Sequence, residues 1–256
     1  NLYDLNLIDI STFPCYICSM GLTIGKYLDL CHKEISHPSQ VEALEYLKDR
    51  FVTQEDLVKY RIGVSPCEWD VCEDETYKER LLADFPKHKK LLTKKLVFPI
   101  MRWDGELSGF IMRTLGDYKF YKKFLFYPHV PFYNVYGFYE NIEEIARTRT
   151  AFIVESIFDL IAIEPWVKNG IAMLGTSFVD SQMAFLKRYV DKLYLGFNND
   201  FGTDHQAGNN ATKYSIQKLK KFGIRSVHVR LPDGINDFSD FRQERSNLED
   251  FFDNYF

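Results

Sequence analysis

The chain has 256 residues, a formal net charge of −4, 46% hydrophobic residues and 27% charged residues, the make-up of an ordinary folded chain and not of a disordered or fibrous one. No long apolar run and no leader-like start occur, which points away from membrane spanning or secretion and sets the expectation of a cytoplasmic protein. A slightly acidic total gives no global pull toward nucleic acid, yet Lys87, Lys89, Lys90, Lys94 and Lys95 crowd one stretch and leave room for a basic face.

Residues 1–36 read as a small separate unit. Cys15 and Cys18 have the C-x-x-C spacing of a metal half-site and are followed by Gly21, Gly25 and a short apolar segment ending at Cys31. Five cysteines do not make a disulfide framework in a chain this long. The first residue is Asn1, so the chain is read as part of something longer. Between Ser39 and Lys59 the periodicity predicts two helices. SQVEALEYLKDRF carries Val41, Leu44, Leu47 and Phe51 as its apolar face; TQEDLVKY opens on Thr53 as N-cap, with a glutamate closing a capping box.

From Lys95 to Gly137 the pattern turns strand-like. LVFPIMRW and LSGFIMRTL flank an Asp104-Gly105 turn and predict a hairpin. The next segment, YKFYKKFLFYPHVPFYNVYGF, is too broken by Pro for a long helix and too rich in Lys for a simple core strand. Its aromatics, Phe120, Tyr121, Phe124, Phe126, Tyr127 and Tyr133, suit either base stacking or core packing. After Arg149, strands TAFIVES, GIAMLGT, KLYLGF and IRSVHVRL alternate with helices IFDLIAIEPWV, SQMAFLKRYV and GNNATKYSIQKLKKFG. Uninterrupted apolar strands alternating with helices predict an α/β fold with a covered parallel sheet. Ligands of such sheets bind at the carboxyl ends of the strands.

Those ends are acidic. The first carries Glu155, with Asp159 a turn later; the third carries Asn198, Asn199 and Asp200; the fourth runs into Asp233, Asp237 and Asp240. Carboxylates gathered from several strands repel one another, and a hard divalent cation, Mg²⁺ or Mn²⁺, relieves that repulsion. Singly, each residue also suits a turn or a helix cap.

The order VES-IFD, MLGTS, FNND, an AG before a helix and LPDGIND resembles the TOPRIM domain shared by DnaG-type primases, topoisomerases and some nucleases. Upstream, ALEYLKDRFVTQEDLVKYRIGVSP, LVFPIMRWDGELSGFIMRTL and KKFLFYPHVPFYNVYGF are similar to the N-terminal half of the bacterial and phage primase core, which selects primase among these families. The resemblance implies a TOPRIM (Rossmann-like) parallel sheet flanked by helices, with a C-terminal extension, at 149–256. Before it come an α+β primase-core subdomain at 37–148 and a partial zinc ribbon at 1–36.

The implied function is a phage-type DNA primase: a DNA-directed RNA polymerase that joins ribonucleoside triphosphates into short primers on single-stranded DNA, beside a replicative helicase. In this resemblance Glu155 matches the TOPRIM glutamate and Asp200 the second aspartate of the DxD pair, while Asp159 and Asp237 match further acidic positions of the Mg²⁺ or Mn²⁺ centre. Glu155, Asp200 and Asp237 are the implied catalytic residues. Arg113 and one of Lys119, Lys122 and Lys123 match basic residues that hold phosphates of nucleotide or template. Asn198 replaces the first aspartate of the pair; an amide oxygen coordinates without charge, and Asp204 is the candidate compensator. FPCYICSMGLTIGKYL resembles the second half of the zinc ribbon, so Zn²⁺ at Cys15 and Cys18 needs a missing half, or Cys31 and His32, to complete it. Two other readings stay open: a degenerate TOPRIM scaffold that binds nucleic acid, and a TOPRIM nuclease.

Overall fold

A computed structural model describes residues 25, 27–65, 95–115, 124–127, 135–174, 178–199, 207–243 and 248–255. Cys15, Cys18, Lys119, Lys122, Lys123, Asp200, Asp204 and the lysines of 87–94 lie outside the described residues.

The first half has α1 (Val41–Asp49), α2 (Gln54–Lys59), β1 (Gly63–Val64), β2 (Lys95–Met101), β3 (Leu107–Thr114) and β4 (Phe124–Tyr127). The strands form one antiparallel sheet in the order β1-β2-β3-β4. The hairpin turns at Gly105, whose φ of +84° suits a residue without Cβ. Helix α1 corrects the expected apolar face. Val41 and Leu44 are exposed, and the buried stripe is Gln40, Ala43 and Leu47, because the small Ala43 sets the face that packs closely. The capping box of α2 closes on Asp56, the third residue after Thr53, and not on a glutamate.

The Lys-rich aromatic segment does supply a strand. Its lysine-free stretch Phe124–Tyr127 pairs with β3 from Phe110↔Tyr127 to Arg113↔Phe124. Lys95 is likewise not part of a solvated lysine face. It opens β2, is buried, and loses basicity to that burial.

The second half runs α3 (Ile142–Thr148), β5 (Thr150–Val154), α4 (Ile157–Ile163), β6 (Gly170–Ala172), α5 (Asp180–Leu186), β7 (Lys192–Gly196), α6 (Ala207–Lys221), β8 (Arg225–His228), α7 (Phe238–Gln243) and α8 (Leu248–Asp253). Its strands are parallel, in the order β6-β5-β7-β8, as the alternation predicts. Period-two alternation sorts β5 onto two faces. Ala151 and Ile153 join Leu193, Leu195, Leu186 and Leu219 on one; Phe152 and Val154 join Ile161, Phe238 and Phe252 on the other.

That second cluster continues into the first half through Leu57, Tyr60, Phe98 and Ile111, so the two sheets share one core. A polar seam fixes their relation. Lys59 Nζ donates to Glu164 Oε1 at 2.5 Å and to Asn141 Oδ1 at 2.6 Å, Tyr60 Oη donates to Glu164 Oε2 at 2.8 Å, and Asn141 Nδ2 donates to the Gly170 carbonyl at 2.7 Å. Every partner in this seam is satisfied, which is what makes a buried charge tolerable.

Candidate active site

Glu155 follows the last residue of β5, at the carboxyl edge of the sheet, and Ser156 then begins α4. The Ser156 hydroxyl accepts the Asp159 backbone N–H at 3.2 Å and donates to Asp159 Oδ2 at 2.6 Å, so S-x-x-D is a local helix start that also fixes a carboxylate. The other oxygen, Oδ1, accepts the Ser239 N–H at 3.2 Å from α7. Asp159 is thereby sealed between two helices. Across the edge, Glu155 Oε1 accepts the backbone N–H of Asn198 at 3.1 Å, tying the end of β5 to the end of β7.

The strand end of β7 is held in turn by Asn199. Its Nδ2 donates to the Leu231 carbonyl at 2.9 Å and the Pro232 carbonyl at 3.3 Å, and its N–H donates to the Asn236 carbonyl at 2.8 Å. That anchors the 231–237 loop, which ends in Asp237, whose Oδ1 accepts the Asp240 N–H at 2.7 Å. On the β6 side, Leu174 sits at φ +59° and its N–H donates to the Glu155 carbonyl at 3.1 Å. A left-handed leucine costs about 1–2 kcal/mol, so this strain is spent at the residue beside Glu155.

Electrostatics agree with convergence. Burial pushes the Asp159 carboxyl up to about 7, and the nearby Asp237 and Glu155 carboxylates push the same way, against the Ser156 and Ser239 hydrogen bonds. Asp237 is raised by burial and by Asp240, with the Arg50 guanidinium opposing. Asn198 Oδ1 is buried and has no hydrogen-bond partner among the described residues. A buried acceptor left without a donor costs about 1–3 kcal/mol, and a cation is the partner that would satisfy it.

So Glu155, Asp159, Asn198 and Asp237 come together at one edge, and their donor chemistry fits a hard cation. Among the described residues no three His, Cys, Asp or Glu side chains already sit at metal-holding distance. Asp159 has both oxygens engaged.

Arg113 is brought near but is not presented to solvent. Its guanidinium lies 5.0 Å from the ring centre of Tyr46, 5.1 Å from Phe124 and 5.3 Å from Phe158, in the first turn of the apolar helix α4 that carries Asp159. Arg50, which the sequence did not single out, lies 5.7 Å from the same Tyr46 and Phe158 rings and donates to Ser239 Oγ at 3.4 Å. Cys31 is not a substitute zinc ligand in this arrangement. It is fully buried with its thiol raised above the ordinary range by that burial, and His32 Nδ1 is engaged with the Ile62 carbonyl at 2.9 Å. Of the missed residues, Ser156 was legible as an S-x-x-D cap; Asn199, Ser239 and Arg50 act across long sequence separations and left no local signal.

One prediction belongs here. Asp159 titrates higher in the folded chain than its ordinary value of 3.8, so the fold is favoured while it holds its proton, and this contribution fades as pH rises toward about 7. Asp159→Asn keeps an acceptor for Ser239 and a donor for Ser156. The melting temperature of metal-free wild type is expected to fall between about pH 4 and pH 7, and that of the variant to fall less; parallel curves would refute the claim.

A Toprim-like family model matches residues 152–242. The DNA primase of Halalkalibacterium halodurans is 29% identical over 209 residues, covering 75% of this chain and 34% of the relative. That of Borreliella burgdorferi is 28% identical over 218 residues, covering 75% and 39%. The chain thus spans little more than a third of the length of these relatives. Among solved structures, the zinc-binding and RNA polymerase domains of Aquifex aeolicus primase superpose with a TM-score of 0.77 at 24% identity, over 91% of this chain and 60% of that one. A DnaG primase catalytic domain bound to ssDNA gives 0.73 at 21%, over 93% and 81%. With Glu155, Asn198 and Asp237 on one sheet edge inside the matched span, the chain carries the fold of the DnaG-type primase catalytic core, with a TOPRIM-like domain at its acidic site.

Proposed function

We infer that this chain is the catalytic core of a DNA primase, which polymerises ribonucleoside triphosphates into short RNA primers on a single-stranded DNA template. The observation that carries this reading is the buried Oδ1 of Asn198, without a hydrogen-bond partner among the described residues, on the residue whose N–H meets Glu155 at the edge that also carries the desolvated Asp159 and Asp237. Similarity to named DNA primases and to a DnaG catalytic domain bound to ssDNA supports the choice of reaction and template.

Glu155, Asn198 and Asp237, with Asp200 and Asp204, would hold Mg²⁺ or Mn²⁺, while Asp159 braces α4 behind them. When bound, the ion supplies charge neutralisation for the triphosphate and acidifies the primer 3′-hydroxyl. The chain's own residues do the positioning. The Asn198 N–H aims one Glu155 oxygen across the edge of the sheet. Asn199 fixes the Asp237 loop, and Lys119, Lys122 and Lys123 hold nucleotide or template phosphates, while Arg113 is buried among the Tyr46, Phe124 and Phe158 rings. A partial ribbon at 1–36 with Cys15 and Cys18, a primase-core subdomain at 37–148, a replicative helicase partner, a cytoplasmic setting and a phage origin belong to the same reading. Among the described residues no helix is long and apolar enough to cross a membrane.

The test is a primer-synthesis assay on mixed single-stranded templates, with wild type and Asn198→Asp side by side and Mg²⁺ binding followed by calorimetry. A carboxylate at 198 is expected to tighten Mg²⁺ binding by about tenfold or more, since each added charge near a dication acts in a partly desolvated site. It should also lower the metal-free melting temperature, through repulsion with Glu155. Primer formation by wild type, absent without ribonucleotides, supports the reading. Degradation of the DNA without nucleotides would indicate the nuclease instead. Asn198, an amide where the family's pair has an aspartate, favours the scaffold reading; a wild type that binds Mg²⁺ no better than a generic acidic surface and makes no primer would establish it.

A further inference from the structure

Strand β8 (Arg225–His228) is the outer strand of the parallel sheet and pairs only with β7 among the described residues. The ladder to β7 uses the N–H of Arg225, to the Asp191 carbonyl at 3.0 Å, and the N–H of Val229, to the Leu195 carbonyl at 3.0 Å. Backbone groups of a strand alternate in direction, so the N–H and C=O of Ser226 and His228 point away from the sheet. Beside them runs a groove of about 680 Å³ between β8 and the end of α6. Ile216, Ile224 and Val227 give it an apolar floor, and Lys192, Lys220 and Arg225 a basic rim. Among the described residues no carboxylate lines it, and Asp191, close enough to feel the Arg225 charge, is engaged by Arg149 through two hydrogen bonds of 3.0 and 3.1 Å.

We propose that this edge is a docking site for an extended acidic peptide of a partner protein, which adds to β8 as a further strand. Charge of one sign along an edge repels a second copy of the same edge, the usual protection against self-pairing. The same charge selects a strand of opposite sign. An added strand both donates to and accepts from the outward groups of Ser226 and His228, while its alternate acids meet Lys192 and Arg225 on one face of the sheet and its alternate apolar side chains rest on Ile216, beside Lys220, on the other. A nucleic-acid backbone accepts hydrogen bonds but has no regular donors for the two carbonyls, so the edge suits peptide better. The inference does not rest on primer synthesis, since none of these residues belongs to the Glu155 site.

The probe is a short synthetic peptide alternating Val and Glu, added to the isotope-labelled chain. Its controls are the Val/Lys counterpart, polyglutamate and oligodeoxythymidylate. Binding should shift the Ser226 and His228 amide signals and slow their hydrogen exchange. Lys220→Glu combined with Arg225→Glu should weaken it by tenfold or more. Ser226→Pro, which removes an outward N–H and leaves the β7 ladder intact, should abolish it with the melting temperature near wild type. If that variant does not fold, the charge-reversed one still decides. The proposal is overturned if the peptide fails to bind, if polyglutamate competes equally without shifting Ser226, or if oligodeoxythymidylate occupies the face and Ser226→Pro leaves that binding unchanged.

Discussion

Replacing Glu155 by Gln is expected to lower primer synthesis by on the order of 10²–10⁴-fold, the usual loss when a positioned proton-transfer or ligand carboxylate goes. The thermal transition should stay close to wild type. The reason lies in how Glu155 is held: one oxygen accepts the Asn198 N–H at 3.1 Å, and the amide oxygen of Gln accepts that bond equally well. The link between the ends of β5 and β7 survives, while the charge and one acceptor oxygen are lost. Removing that charge also relieves Asp159, so a small gain in metal-free stability is consistent with the prediction. A variant that is folded and still makes primers at the wild-type rate would remove Glu155 from the chemistry.

The second large effect concerns Phe152, fully buried at the centre of β5. Its ring is stacked on Tyr194 at 6.3 Å and meets Phe238 and Phe252 edge-on, each at 5.6 Å. Gly196 on β7 leaves room for it, since a Cβ there would come within 2.5 Å of the ring. Phe152→Ala opens a cavity among three elements and is expected to cost about 3–5 kcal/mol. A drop of roughly 6–20 °C in melting temperature follows for a chain of this size. Because β5 and β7 carry Glu155 and Asn198, activity should fall with it below the transition, through misplacement of the two strand ends. Calorimetry and primer synthesis measured together check both parts; a variant within 1 °C of wild type would refute the packing account.

The parallel sheet was readable because its strands are unbroken apolar runs and its helices have the right period, and the acidic strand ends could be placed without any contact information. Less was readable where burial, and not pattern, decides. Val41 and Leu44 are apolar but exposed, while Gln40 is polar and buried, so the packed face of α1 was misassigned. The strand Phe124–Tyr127 was hidden by the lysines around it. Arg113 carried the expected charge, but its clasp by Tyr46, Phe124 and Phe158 joins residues from separate elements that no local motif records. Asn199 looked like one more polar loop residue, and its three hydrogen bonds to the 231–237 loop appear only in the folded chain.

The core shared by the two sheets has a consequence for inheritance. The motifs suggest a seam near residue 149, as if a ready-made acidic module had been appended to an upstream unit. Yet Phe98 meets Phe158 at 5.7 Å, Tyr46 meets the same ring at 5.8 Å, and Lys59 neutralises Glu164, so a fragment cut at that seam would expose apolar rings and strand a charge on each side. Such a module does not travel alone. Recombination that exchanged the acidic half without its upstream companion would have to rebuild this contact surface before the strand ends could again be aligned.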